Sequence, residues 1–346
     1  MRRRALAGLT AAAGFATAGA IAQKRLLASI AADPENERLR RPLGGEELAV
    51  AAADGTELHA EAFGPADAPK LILAHGWMCA IEFWRYQIDE LAGDFRVIAY
   101  DQRGHGKSAE ADDYSFGAFS ADFGTILDAF VPVGERALVA GHSMGAMTIA
   151  AWAGDNPDKV ANRLSGALLF NTGLGDLITE SVILRTPERL TGLRDPIGRL
   201  MMTAALPIPA TPSPIGDAAV RYVAMNPDAS PARVAFVRRM ALTCNPKARS
   251  KAGATMARMD LWKSVESLDT PTVVIAGRAD KMTPLPHAMK LFESLPKPIE
   301  LVKLPGIGHM APIETPTTCN QTIRELGNAV KSGGGVPRSR VLRPVA

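Results

Sequence analysis

The stretch from 139 to 147, VAGHSMGAM, decides how this chain folds. Before it, RALVA has the unbroken apolar character of a short strand buried on both faces, and after it MGAMTIAAWAG reads as an apolar helix closed by glycine and the breaker run DNP. Ser143 therefore stands at a strand-to-helix turn, flanked by Gly141 and Gly145. So sharp a turn forces its central residue into a strained conformation, and side chains two positions either way would collide with strand or helix. The pentapeptide fits GxSxG, the nucleophile elbow that lifts a serine hydroxyl clear of the backbone.

Working outward, KLILAHG, FRVIAYDQRGHG, GALLFNTG, PTVVIAGRAD and IELVKLPGIGH are further strand-like runs, and EELAVAAADGTELHAEAFG is two extended runs around the hairpin signal Asp54-Gly55. Between them, Ile81, Trp84, Ile88 and Leu91 mark one helical face. Ile323, Leu326 and Val330 mark another, after the start signal Thr315-Pro316. Apolar strands alternating with helices predict an α/β fold whose mostly parallel sheet is covered by helices on both faces. The alternation breaks between 173 and 262, where methionines and prolines sit among helical pieces, as expected of an inserted, mobile, apolar cap. The predicted organisation is an N-terminal segment over 1–30, a charged linker over 31–45, a core over 46–172 and 263–330, the cap, and a disordered basic tail over 331–346.

With 47% hydrophobic residues, 22% charged and a net charge of +3 over 346 residues, the body carries no basic stripe, so nucleic acid is excluded as a partner. Cys79, Cys244 and Cys319 have neither disulfide nor zinc-site spacing, and Cys79 reads as a buried bystander. The N-terminus is more telling. MRRR precedes an uncharged run of 18 residues and then QKR, which predicts a cleaved export signal or a membrane anchor, hence an exported or membrane-associated protein. A soluble helix is the alternative.

A serine nucleophile needs a base, and the base needs a partner that holds its tautomer. His309, in a Gly-rich loop after the last strand, and Asp280, just past the strand before it, supply both in the order Ser, Asp, His. Asp101 and Asp176 are rival acids: the first is expected to order the DQRGHGKS loop, and the second is the alternative partner. His59, His75, His105, His142 and His287 read as structural. The negative charge that builds on a carbonyl oxygen under attack calls for backbone donors, assigned to the N–H of Met144 and, next to Gly76, of Trp77.

Together LAHGW, YDQRGHGKS, GHSMG, GRADKMTP and GIGHMAPIETP resemble the α/β-hydrolase superfamily over residues 45–330, on its serine-nucleophile esterase, monoacylglycerol-lipase and haloperoxidase-like branches. That resemblance implies eight strands, a helical cap after the sixth, and no metal or organic cofactor. Ser143 stands where epoxide hydrolases and dehalogenases carry aspartate, which disfavours those activities. The expected function is hydrolysis of a small-molecule carboxylic ester, a lipid or another apolar one, through an acyl-enzyme on Ser143, with substrate contacts from 173–262. Carbon–carbon bond hydrolysis, perhydrolysis and a noncatalytic receptor are the alternatives.

Overall fold

The computed structural model describes residues 18–183, 192–204 and 212–331. Residues 18–32 form helix α1, and α2 (Asn36–Arg40) follows. The hairpin of β1 (Glu46–Ala51) and β2 (Glu57–Phe63) closes at Gly55, whose φ of +84° is a left-handed value that glycine adopts without strain. Then come β3 (Lys70–Ala74), α3 (Arg85–Leu91), β4 (Arg96–Tyr100), α4 (Phe116–Phe130), β5 (Ala137–His142), α5 (Met144–Asp155), α6 (Pro157–Arg163) and β6 (Leu164–Phe170). Among the described residues six helices follow: α7 (Leu177–Glu180), α8 (Arg194–Thr203), α9 (Pro214–Ala224), α10 (Pro231–Thr243), α11 (Pro246–Met256) and α12 (Trp262–Val265). The chain returns through β7 (Thr272–Gly277), α13 (Leu285–Ser294), β8 (Pro298–Leu304), α14 (Ala311–Glu314) and α15 (Pro316–Lys331).

One eight-stranded sheet results, in the order β1-β2-β4-β3-β5-β6-β7-β8, with β2 antiparallel to both its neighbours and every later pairing parallel. Alternation along β3 divides its apolar run between two layers. Leu71 and Leu73 pack with Ile88 and Leu91 of α3 and Ile323 of α15, whereas Ile72 and Ala74 pack with Phe123 of α4, Ile149 of α5 and Leu291 of α13. Burial on both faces is why these strands read as continuous apolar runs. Each such Leu or Ile contributes about 1.5–3 kcal/mol.

The six helices between β6 and β7 are the insertion expected after the sixth strand. Three start in the same way: Ser213, Ser230 and Asn245 accept hydrogen bonds from the first-turn N–H groups of α9, α10 and α11, and proline follows each cap. Proline's fixed φ suits a first helical position, where its missing N–H costs nothing.

Two sequence expectations need correction. Gly154 does not close α5, which runs on to Asp155; a Cβ there would lie 2.6 Å from Ser264, so the glycine lets α12 pack close. Nor is 31–45 a linker. Its charges bind partners far along the chain: Glu35 pairs with Arg233 of α10 at 2.6 Å and accepts from Tyr86 of α3 at 2.7 Å, while Arg38 meets Asp89 at 2.9 Å. Leu39 is buried in the core, so this strap staples the cap to the body. At the ends, α1 passes the expected boundary at 30, whereas residues 1–17 and the tail beyond Lys331 lie outside the described residues. Among the described residues no helix is long and apolar enough to cross a membrane.

Candidate active site

Ser143 occupies the turn between β5 and α5 with φ 50° and ψ −115°, a conformation that costs a non-glycine residue about 1–3 kcal/mol. Its surroundings enforce it. The Ser143 N–H donates to Phe170 O at 2.9 Å, and its carbonyl accepts from Thr172 Oγ1 at 3.0 Å and from the N–H groups of Ala146 and Met147. The two glycines have separate reasons. A Cβ at Gly141 would lie 2.6 Å from Ala146 Cα in the helix, and one at Gly145 would lie 2.1 Å from Ala74 O in β3.

His309 sits in the loop after β8 and is buried, with Nδ1 2.8 Å from Asp280 Oδ2. Every neighbour of the Asp280 carboxylate is a donor. Oδ1 accepts from the N–H groups of Met282 (2.8 Å) and Thr283 (3.0 Å), and Oδ2 from Asn171 Nδ2 (3.0 Å), Thr283 Oγ1 (2.8 Å) and His309. Burial alone would raise the pKa of Asp280, but the adjacent imidazole and these hydrogen bonds outweigh it and hold the carboxyl below its ordinary range. Asp176 makes no such contact: it caps α7 in a left-handed conformation, φ 57°. Asp101 orders its loop, accepting from the N–H groups of Ile81 and Lys107 and meeting His59 at 3.0 Å.

The turn after β3 comes close to the serine. A Cβ on Gly76 would lie 3.3 Å from Ser143 Cβ, and the turn closes through Cys79 N–H to Gly76 O at 3.1 Å, with Met78 at φ 60°. Among the described residues, neither the Trp77 nor the Met144 N–H takes a carbonyl partner in a turn, loop or cap. The Trp77 indole donates instead to Arg249 O of the cap at 3.0 Å. His75 holds the turn from beneath: its Nδ1 lies 2.8 Å from Gly76 O and its Nε2 accepts from Gln102 N–H. His142 stacks on Phe83 and donates from Nε2 to His309 O at 2.9 Å; burial, then the nearby His309, push its pKa far down, so it stays neutral. Burial pushes the Cys79 thiol up to about 12, which leaves it protonated and inert.

Three supporting residues stand outside the serine, aspartate, histidine and backbone donors expected from the sequence. Asn171, at φ 44°, uses one amide to tie Asp280 to Gly308 O, which is 3.0 Å away. Thr283 holds the acid. Glu314 receives the N–H groups of Gly308 (3.2 Å) and Met310 (3.0 Å) and also of Asn226 in the cap (2.7 Å), which fixes the His309 loop to the insertion. Asn171 reaches Asp280, and Glu314 reaches Asn226, across long stretches of chain that only folding brings together, whereas Thr283 binds an aspartate three residues before it.

Ser143 and His309 open onto one cavity of about 190 Å³ between core and cap. Six methionines line it, with Trp77, Leu177, Ile178 and Val223, and among the described residues no Asp, Glu, Lys or Arg does. Among the described residues, Glu47, His59 and Glu61 are the one group with metal-ligand spacing; none of them lines this cavity, and the Lys107 ammonium already lies 2.6 Å from Glu47 and 3.8 Å from Glu61.

Comparison with known proteins agrees with this architecture. A bifunctional esterase/perhydrolase of Acinetobacter calcoaceticus is 24% identical over 79% of this chain and 97% of its own length. A non-heme chloroperoxidase of Burkholderia pyrrocinia is 25% identical over 75% of this chain and 92% of its own. A thermophilic esterase from Thermogutta terrifontis superposes with a TM-score of 0.64 at 23% identity, over 82% of this chain and 99% of that one, a likeness of fold. The model of the alpha/beta hydrolase family matches residues 71–322, and the chain belongs to that family.

Proposed function

We propose that this hydrolase cleaves uncharged, apolar carboxylic esters through an acyl-enzyme on Ser143. The observation that carries the reading is the convergence on one uncharged cavity of a serine held at a strained turn and a histidine held by a buried aspartate. In this reading, Asp280 keeps the His309 proton on Nδ1 and leaves Nε2 free as the base for Ser143 Oγ. Attack on the ester carbonyl builds an oxyanion, which the N–H groups of Met144 and Trp77 receive; His309 then returns the proton to the departing alcohol, and water releases the acid by the reverse sequence. The methionine-rich wall favours a flexible apolar acyl or aryl group over any ionised substrate. Hydrogen peroxide in place of water would turn the same acyl-enzyme into a peracid. That second reading rests on the relative named as an esterase and perhydrolase.

The test is a series of p-nitrophenyl esters of rising chain length together with a fluorophosphonate probe. Wild-type protein should hydrolyse the esters and take up the probe, and Ser143→Ala should do neither while keeping its circular dichroism. A folded wild-type protein that takes up no probe and cleaves no ester is a noncatalytic member of the family, and the proposal is then wrong.

A further inference from the structure

Cap helix α8 is apolar on two sides. Gly198 and Met202 face the cavity that holds Ser143 and His309. Leu193, Ile197, Leu200 and Met201 follow helical spacing on another face, where they are 52%, 40%, 66% and 53% exposed. On helix α9, Val223 lines the cavity and Ile215 is 83% exposed, while Tyr222, 48% exposed, carries Lys281 Nζ 3.7 Å over its ring. A helix at a protein surface needs one apolar stripe, toward the core. Single exposed apolar side chains are ordinary, but an outward stripe on α8, with Ile215 of α9 beside the same cavity, marks a surface that binds something apolar.

We infer that the outer face of α8 and α9 docks on a lipid bilayer, with the cavity mouth against the acyl region. Continuity favours a bilayer. Met201 belongs both to the cavity wall and to the exposed stripe, so apolar surface runs from outside the protein toward Ser143, and among the described residues no charged side chain lines the cavity. A docked protein would cover that entrance, whereas a bilayer delivers an apolar ester through it. On α8, Arg199 lies 3.8 Å from Asp195. The 17 residues before α1 hold Arg2 to Arg4 and most of the uncharged run, the chemistry of a segment that reaches a membrane. Helices of this kind settle about 5–10 Å into the headgroup boundary.

The inference goes beyond ester hydrolysis, and its test is independent of turnover because binding is measured on full-length Ser143→Ala protein. Flotation with phosphatidylcholine vesicles, with and without phosphatidylglycerol, should show binding to both. Adding Ile197→Glu and Leu200→Glu should lower partition into phosphatidylcholine vesicles by about tenfold or more, since two apolar contacts are replaced by charges. Leu200→Gln, a milder change that keeps the fold, should lower it by a smaller factor, and Val133→Glu, fully exposed beyond the opposite end of β5, should leave it unchanged. In the active protein the double substitution should spare a water-soluble short-chain ester and slow an ester dispersed in the vesicles. The inference is overturned if the double variant and Leu200→Gln float like the parent, or if the parent binds only vesicles containing phosphatidylglycerol, which would assign binding to the arginines. It is equally overturned if the substitutions dissociate a dimer in light scattering without changing vesicle partition, because the face would then be covered by a second copy.

Discussion

Asp280→Asn isolates what the buried carboxylate does, because the two side chains have the same shape and differ in hydrogen-bonding capacity. All five groups on Asp280 are donors, so the asparagine amide must meet a donor in either orientation. Keeping its oxygen toward the Met282 and Thr283 N–H groups turns its NH2 toward His309 Nδ1 and Asn171 Nδ2. The imidazole then accepts at Nδ1 and carries its proton on Nε2, the tautomer that cannot take a proton from Ser143. A wrong tautomer of this kind costs about 10⁴ in kcat, or roughly 5.5 kcal/mol of barrier. The donor facing Asn171 costs stability as well, about 1–3 kcal/mol. The assay is kcat on a soluble p-nitrophenyl ester across pH, with thermal unfolding followed in parallel. Raising the pH should not restore activity, since the fault is a misplaced proton rather than an unfilled titration. A folded variant that keeps more than about a tenth of kcat would refute the reasoning, as would Asp176→Asn proving the more damaging change.

Gly145→Ala should prevent folding or cost about 4 kcal/mol or more, because its Cβ would sit 2.1 Å from a backbone carbonyl of β3; a soluble variant with an unchanged melting temperature contradicts this. Asn171→Gly keeps the left-handed backbone and removes the tie between Asp280 and Gly308, so kcat should fall about tenfold to a hundredfold with KM little changed. In acid, Asp280 sets a direction. Its folded pKa lies below the ordinary aspartate value, so its contribution to stability is full above that value, about 3.9, and is lost as pH falls through the folded one. Melting temperatures should therefore drop more steeply below about pH 4 in the wild-type protein than in Asp280→Asn, and parallel curves would argue against it. Glu35→Gln should lower the melting temperature by about 2–4 °C by loosening the strap on Arg233 and Tyr86.

Local rules of backbone and burial made much of this protein legible in one dimension. The strand-to-helix turn at Ser143, the glycines beside it and the apolar runs all express constraints that act within a few residues. The histidine and aspartate could be named because each must stand just past a strand end. The strap over 31–45 could not be recognised, since Glu35 and Arg38 look solvated until Arg233, Tyr86 and Asp89 are brought to them. Asn171 was hidden for the same reason, since no local pattern distinguishes an asparagine that ties two loops from one in a turn, whereas Thr283 and Glu314 stand within a few residues of groups they hold. The choice of Asp280 over Asp176 likewise rests on a 2.8 Å contact across 29 residues. The apolar, uncharged cavity and the outward stripe on α8 depend on which way each helix faces, and that is fixed by packing against the rest of the chain.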